Sequence, residues 1–94
     1  MKTIKRVSVK NMTSNSGNDI ANQFIICTPE GNYFQSYSAI IVFIPYGSGK
    51  VVLDKNAWDY SQTTGKYRNQ FLGEKKADTE CKIKDGTYKL ADLN

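Results

Sequence analysis

The sequence predicts an α+β domain, with an antiparallel β-sheet of about four to six strands and one or two short helices from the C-terminal half packed on it. Three observations predict this fold. Runs of β-forming residues alternate with turn signals over residues 4–53. The apolar spacing becomes helical after Trp58. Residues 87–93 return to an alternating pattern that suits a closing strand.

The first strand and the first hairpin are predicted from the N-terminal third of the chain. Residues 4–12 are rich in β-formers, with Val7 and Val9 on one face, and the polar residues 13–19 end this strand. Residues 23–28 and 33–37 pair around a turn at 29–32, where proline fixes φ and glycine supplies a positive φ.

A central strand follows at residues 38–44. These residues are apolar at both odd and even positions, which favours a strand covered on both faces. Residues 46–50 form a turn, and 51–53 a short strand. Gly47-Ser48-Gly49-Lys50 resembles part of a phosphate-binding loop, but Ile44 and Val51 stand where that loop needs glycine and a hydroxyl residue.

Two helices are predicted in the second half. Ser61 or Thr63 caps a helix that runs to about Leu72, and Gly73 ends it. Thr64, Tyr67 and Phe71 then share one helix face. A second helix over about 75–84 is predicted to turn Ala77 and Cys81 inward.

Length and composition indicate a single domain over residues 1–94. The longest apolar run, residues 39–45, is much shorter than the ~20 residues of a membrane span. The first ten residues lack the apolar stretch of a secretory signal. We therefore expect a cytoplasmic protein without membrane contact, in which Cys27 and Cys81 are buried free thiols.

Catalytic chemistry is disfavoured by what the chain lacks. It contains no histidine, the usual base near neutral pH and the commonest metal ligand. Its two cysteines lack the spacing of a zinc site. Asp59 with Glu74, Lys75 and Lys76 resembles the acidic pattern of metal-dependent nucleases, but we interpret these residues as a solvated charged face. The sequence thus predicts a non-enzyme without metal or cofactor.

The charge pattern indicates a basic N-terminus. The formal net charge is +4, and residues 1–10 carry four cations and no acid. These cations are candidates for nucleic-acid binding, together with two further along the chain: Lys2, Lys5, Arg6, Lys10, Lys66 and Arg68.

The most informative segment is residues 58–72, which combine four aromatic residues with two cations. Such residues stack bases and bind phosphates, and they also anchor protein interfaces. The alternative is structural, with Trp58 and Phe71 packing the helix on the sheet. The predicted partner-binding residues are Trp58, Tyr60, Lys66, Tyr67 and Arg68.

A resemblance enters through three stretches: NQFII at 22–26, FQSYS at 34–38 and WDYSQTTGKYRNQFL at 58–72. Together they resemble small accessory proteins of bacteriophages and prophages. This resemblance brings no catalytic residues. It implies stoichiometric binding to a host nucleic-acid machine or a defence system such as CRISPR–Cas.

Three functions are therefore weighed. The first is a non-enzymatic, anti-CRISPR-like binder that modulates or inhibits a host protein or protein–nucleic acid complex. The second is direct DNA or RNA binding through the sheet face, the basic N-terminus and the 58–72 segment. The third is a small oligomeric structural protein of the virion, which needs an exposed edge strand or an apolar patch to form homo-oligomers.

Overall fold

The computed structural model describes residues 7–14 and 16–94 of the chain. Within them lie six strands and two helices. They are, in chain order, β1 (Ser8–Thr13), β2 (Asp19–Cys27), β3 (Gly31–Ser36), β4 (Ala39–Pro45), β5 (Val52–Asp54), α1 (Gln62–Leu72), α2 (Lys76–Lys84) and β6 (Lys89–Ala91).

The strands form one sheet in the order β1-β2-β3-β4-β5-β6. The first four neighbouring pairs are antiparallel, and β5 with β6 is parallel. The parallel pair exists because the chain crosses over through both helices between β5 and β6, as parallel neighbours require. The α+β prediction is confirmed, although the sheet is mixed rather than wholly antiparallel.

Both helices pack against the core on one face of the sheet. The rings of Phe34 in β3 and Phe71 in α1 stack with their centroids 5.6 Å apart. Ile83 of α2 packs against the same core. The buried hydrophobic residues among those described are Met12, Phe34, Ile41, Val42, Leu53 and Tyr88. The domain therefore has two layers, a helical layer and the sheet.

An irregularity in strand pairing explains the apolar run of β4. Phe34 pairs with Val42 but the next residue, Gln35, pairs with Ile40, so Ile41 is an extra residue in β4. Ile41 and Val42 are consecutive, yet both are fully buried in the core. The prediction that β4 is covered on both faces was wrong within the described residues, because this bulge places residues of both parities in the core on one face.

The opposite face of the sheet is apolar and lies outside this core. The strand registers align one residue from each strand in a row straight across the sheet. We call these residues the cross-strand row: Val9, Ile26, Tyr33, Phe43, Val52 and Lys89. Among the described residues, none of the five hydrophobic members of the row belongs to the core or packs against it.

The hairpin turn between β2 and β3 forms as predicted. Thr28 closes it, because its hydroxyl donates to the carbonyl oxygen of Gly31 at 2.7 Å. Gly31 is required for close approach: a Cβ there would meet the carbonyl oxygen of Ile44 and lie 2.7 Å from the Cα of Pro45. The smallest residue thus lets β3 and β4 approach each other.

Helix α1 confirms the predicted caps. The hydroxyl of Ser61 accepts a hydrogen bond from the backbone N–H of Thr64 at 3.1 Å. Gly73 ends the helix in the left-handed conformation, with φ 70°. Thr64 is fully buried, and its hydroxyl lies 2.8 Å from that of Ser36 in β3.

Helix α2 lies where it was predicted, but the inward face was wrong. Ala77 and Cys81 are exposed, whereas Thr79 is fully buried. The Thr79 hydroxyl donates to the carboxylate of Glu74 at 2.5 Å, which turns this polar position inward. No helix among residues 7–14 and 16–94 is long and apolar enough to cross a membrane.

Candidate partner-binding site

Arg68, predicted as an exposed cation, is almost completely buried, with 1% of its surface exposed. Its Nη1 donates to the carbonyl oxygen of Trp58 at 2.6 Å and to Oδ1 of Asp59 at 3.1 Å. Its Nη2 donates to Oδ1 of Asn69 at 3.0 Å. The guanidinium therefore ties helix α1 to the loop before it, so the structure does not favour Arg68 as a direct phosphate contact.

Trp58 is half-buried and packs where helix α1 meets the loop before it. Its ring lies against the Arg68 guanidinium, with 5.1 Å from the carbon atom of the guanidinium to the ring centroid. The side chain also packs against the core. A cation held over an indole face is stabilised by the ring quadrupole. The structural packing considered for Trp58 from the sequence is therefore observed, and its contact with a partner stays a prediction.

A cleft of about 530 Å³ opens at the N-terminal end of α1. We call it the α1 cleft. It is lined by Asp59, Ser61, Gln62, Gly65, Lys66, Arg68, Asn69 and Lys76. The structure thus brings Lys66 and Arg68 of the predicted site into one concavity and adds Lys76, which sequence reasoning placed on a solvated face.

Tyr60 and Tyr67, the other two predicted residues, do not line the α1 cleft. Tyr60 is 50% exposed and lies between two cleft residues in the chain, Asp59 and Ser61. Tyr67 is half-buried and lines a second cavity of about 350 Å³, on the side of α1 that faces the β1–β2 turn. The predicted segment therefore presents two different surfaces, and Lys66 borders both.

Asp59 is the one carboxylate among the described residues that line the cleft, and two cations hold it. Lys76 Nζ lies 2.7 Å from its Oδ2 and Arg68 Nη1 lies 3.1 Å from its Oδ1. Burial acts to raise the pKa of Asp59, but the hydrogen bonds and charges of Lys76 and Arg68 outweigh it, so this pKa falls below its ordinary value of 3.8. Asp59 is thus ionised at neutral pH, and the three cations outnumber it.

Glu74, the other acid of the nuclease-like pattern, belongs to a separate cluster. Its Oε1 accepts from Lys82 Nζ at 2.6 Å and from the Tyr88 hydroxyl at 2.8 Å. Its Oε2 accepts from Thr79. The carboxylates of Asp59 and Glu74 are therefore engaged by different partners, and Glu74 joins α2 to the chain leading into β6. No group of three or more cysteine or acidic side chains in the described part of the chain is arranged to hold a metal ion.

We expect the Glu74 cluster to make folding sensitive to acid. Burial acts to raise the pKa of Glu74, but hydrogen bonds from Lys82, Thr79 and Tyr88 outweigh it and lower the pKa below 4.5. A lowered pKa in the folded state contributes stability above the unfolded pKa and loses it as pH falls through the folded value. The free energy of unfolding, measured with urea, should therefore fall less between pH 7 and pH 3 in Glu74→Gln than in the wild type. An equal loss in both proteins would contradict this assignment.

The basic N-terminus is only partly within the described residues. Lys10 is exposed in β1, at one edge of the sheet. Lys2, Lys5 and Arg6 lie outside the described residues. The nucleic-acid contacts predicted for these four cations stay predictions.

Both cysteines are free thiols, as predicted. Cys27 is half-buried in β2, but Cys81 is exposed on α2, so the expectation that both are buried was wrong for Cys81. Helix α2 buries Thr79 instead of Cys81.

Comparison with known proteins gives one match. A family of unknown function, DUF8033, matches residues 7–86, which is most of the chain. The chain belongs to this family. No curated protein and no solved structure matches this DUF8033 chain. The match begins one residue before β1 and ends between α2 and β6, so it includes the α1 cleft.

Sequence reasoning missed the contribution of Lys76 to the cleft and the cross-strand row. Lys76 could not be assigned because its partner, Asp59, precedes α1 while Lys76 begins α2. The row could have been suspected from the apolar residues of both parities in β2 and β4. Their assignment to one uncovered face depended on registers that the sequence does not display.

Proposed function

We propose that this DUF8033 protein is a non-enzymatic accessory protein of the phage type that binds and inhibits a host macromolecule, a defence complex that handles nucleic acid. The observation that carries this proposal is the α1 cleft, a concave site whose lining holds three cations against one carboxylate. Such a site suits an acidic group of a partner, either a carboxylate or a phosphate.

The helix beside the cleft adds to its attraction for anions. Helix α1 has no acidic residue in its first turn, so nothing in that turn offsets the positive end of its dipole. Ser61 and Gln62, at this end, line the cleft. An acidic group of the partner would therefore meet a helix terminus as well as the exposed ammonium of Lys66.

The rigidity of the cleft supports binding by stoichiometric contact. Arg68 is fixed by three hydrogen bonds and Asp59 by two cations. A site that is already ordered loses little conformational entropy when a partner docks. Exposed Tyr60, next to the cleft in the chain, supplies an aromatic side chain of the type enriched at interface centres.

The basic character of the chain argues against mimicry of DNA. A mimic would present a surface of negative charge, whereas the net charge here is +4. The proposed inhibition therefore operates by gripping acidic groups on the target.

Direct binding of DNA or RNA is the second candidate, since a helix N-terminus with nearby cations also suits phosphates. Salt dependence separates the two. Affinity for a labelled oligonucleotide that rests on several phosphate contacts should fall steeply between about 50 and 200 mM salt. The affinity for a host protein that is bound through one acidic group should change much less over the same range of salt.

The test compares Lys66→Glu with Lys55→Glu, a matched charge reversal at an exposed lysine that does not line the α1 cleft. Tagged wild-type protein, expressed in the bacterial host, should capture a partner that survives nuclease treatment. Lys66→Glu should reduce the captured amount at least about tenfold, as loss of a central interface contact does, while Lys55→Glu should retain it.

The proposal also has a biological readout. Expression of the wild type should restore plaque formation by a phage that the host defence complex restricts, and Lys66→Glu should not. Capture that vanishes with nuclease would favour the nucleic-acid alternative. Equal capture by both variants would remove the α1 cleft as the site.

A further inference from the structure

We propose that the face of the sheet opposite the helices is the interface of a homodimer, in which two copies pack face to face through the cross-strand row. This inference concerns the sheet layer and is independent of the α1 cleft. The proposed occupant is a second copy of this chain.

The composition of the face is that of an interface rather than of a solvated surface. Five of the six residues in the row are hydrophobic, with Tyr33 and Phe43 side by side on β3 and β4 at 4.5 Å between ring centroids. Phe24 of β2 extends the patch in the neighbouring register. At its β1 end, Val9 is 61% exposed. A contiguous apolar patch of this kind marks an interaction site.

The size of the face meets what a dimer needs. Six strands spaced about 4.8 Å apart span about 24 Å; β1 to β4 are long enough to offer five residues, about 17 Å, whereas β5 and β6 offer three, about 10 Å. The flat footprint is thus about 400 Å² per copy, and side-chain relief raises the accessible area above it. Two copies would bury about 1,000 Å² in total, the lower bound for specific interfaces.

The small core argues for a second copy as the occupant. Only six hydrophobic residues among those described are buried. A domain of this length is marginal when folded alone, and oligomerisation is a usual way to add buried apolar area. A second copy is present whenever the protein is, whereas a host partner would leave the face open until the two meet.

The charge of the row fixes how two copies fit. Lys89 stands at the β6 end of the row and hydrophobic Val9 at the β1 end. A two-fold axis parallel to the strands places the Lys89 end of one row over the Val9 end of the other. The two ammonium groups then lie about 24 Å apart, beyond the Debye length of about 8 Å at physiological salt.

The resulting particle would have four layers, with the two sheets inside and the helices outside. Each α1 cleft belongs to the helical layer, so the two clefts would face away from the interface. The dimer would therefore offer two partner sites at once.

The test is the mass of the native full-length protein by light scattering over a dilution series. The wild type should have twice the chain mass of 10.6 kDa and should dissociate on dilution. Phe43→Glu and Val9→Glu should raise the dissociation constant at least about tenfold, because each places a charge in an apolar contact. Val9 lies in an edge strand and is 61% exposed, so its variant should fold even where Phe43→Glu does not.

Leu90→Glu is the matched control. Leu90 is 41% exposed and pairs with buried Leu53, so it lies on the face that carries the helices and not on the face of the cross-strand row. Its variant should therefore stay dimeric. Circular dichroism should show that the variants are folded. Lys66→Glu should also stay dimeric, so failure of the cleft proposal and failure of this one are distinguishable.

Three outcomes would overturn the inference. The first is a wild type that is monomeric at the highest concentration reached. The second is a dimer that neither Phe43→Glu nor Val9→Glu weakens, which would place the contact elsewhere. The third is a monomer whose capture of a host protein or an oligonucleotide is lost in Val9→Glu, which would assign the face to that other occupant.

Discussion

Replacing Arg68 with alanine is expected to lower the free energy of unfolding by about 3 kcal/mol, because the buried guanidinium holds α1 to its preceding loop. The substitution removes hydrogen bonds to the Trp58 carbonyl, Asp59 and Asn69. Removing one partner of a buried ion pair costs about 3–5 kcal/mol. The lower end applies here because Asp59 is 31% exposed and keeps Lys76 as its partner.

The measurement is urea unfolding at one fixed protein concentration, since association contributes to apparent stability. Lys66→Ala is the control, two residues earlier in α1 and exposed, and should change stability by less than about 0.5 kcal/mol. Arg68→Lys should lie between the two, because an ammonium keeps the charge but not the planar set of donors. A loss below about 1 kcal/mol in Arg68→Ala would show that its hydrogen bonds are dispensable.

Replacing Phe34 with alanine is expected to cost about 3–5 kcal/mol, the range for removing a buried phenylalanine. Phe34 is fully buried in β3 and its ring stacks on that of Phe71, so the cavity would open between sheet and helical layer. Ile41 and Val42, on the neighbouring strand, are also fully buried and belong to the same cluster.

Thermal and urea unfolding of Phe34→Ala and Phe34→Leu would check this prediction. Leucine keeps much of the buried volume and should cost less than half as much as alanine. Comparable stability of Phe34→Ala and wild type would mean that the two layers do not depend on this contact, and the assignment of the core would be wrong.

Helix α1 was predictable because its boundaries depend on local chemistry. A serine cap satisfies a free N–H at the start, and a glycine adopts the left-handed conformation at the end. The turn before β3 was readable because it also closes locally, with the Thr28 hydroxyl bonded to Gly31 three residues later. In both cases the residues that determine the conformation lie within a few positions of one another.

The inward face of α2 was not predictable, because a distant polar partner determines it. Thr79 turns inward toward Glu74, whereas Ala77 and Cys81 are exposed. Because the buried position is polar, the spacing of apolar residues in the sequence does not indicate it. The start of β2 was missed similarly. It begins with a polar residue, Asp19, which pairs with Thr13 across the hairpin and extends the strand.

The candidate site was predicted as a segment but not as a surface. Lys66 lines the α1 cleft as an exposed cation, while Arg68 is buried, although both are basic residues of the same helix. Helical spacing gives a reason in retrospect, since Arg68 lies one turn after buried Thr64. A charged residue at an inward position can be recognised only when its partners are known, and Asp59 lies in the loop before the helix.

The parallel pairing of β5 with β6 sets an order on folding. Strands β1 to β4 are joined by short turns and can pair through local contacts. Val52 pairs with Lys89 only when the chain that includes both helices has brought β6 back to β5. Among the strand pairs of the described residues, this one closes the longest loop, so its entropic cost is the largest and its contacts form late. The residues after β6 then hold this side of the sheet in place. The backbone N–H of Leu93 donates to Asp54, and the side chain of Asn94 hydrogen-bonds to the backbone of Ile40. A nascent chain would therefore leave β5 without its parallel partner until residues 89–91 had been synthesised.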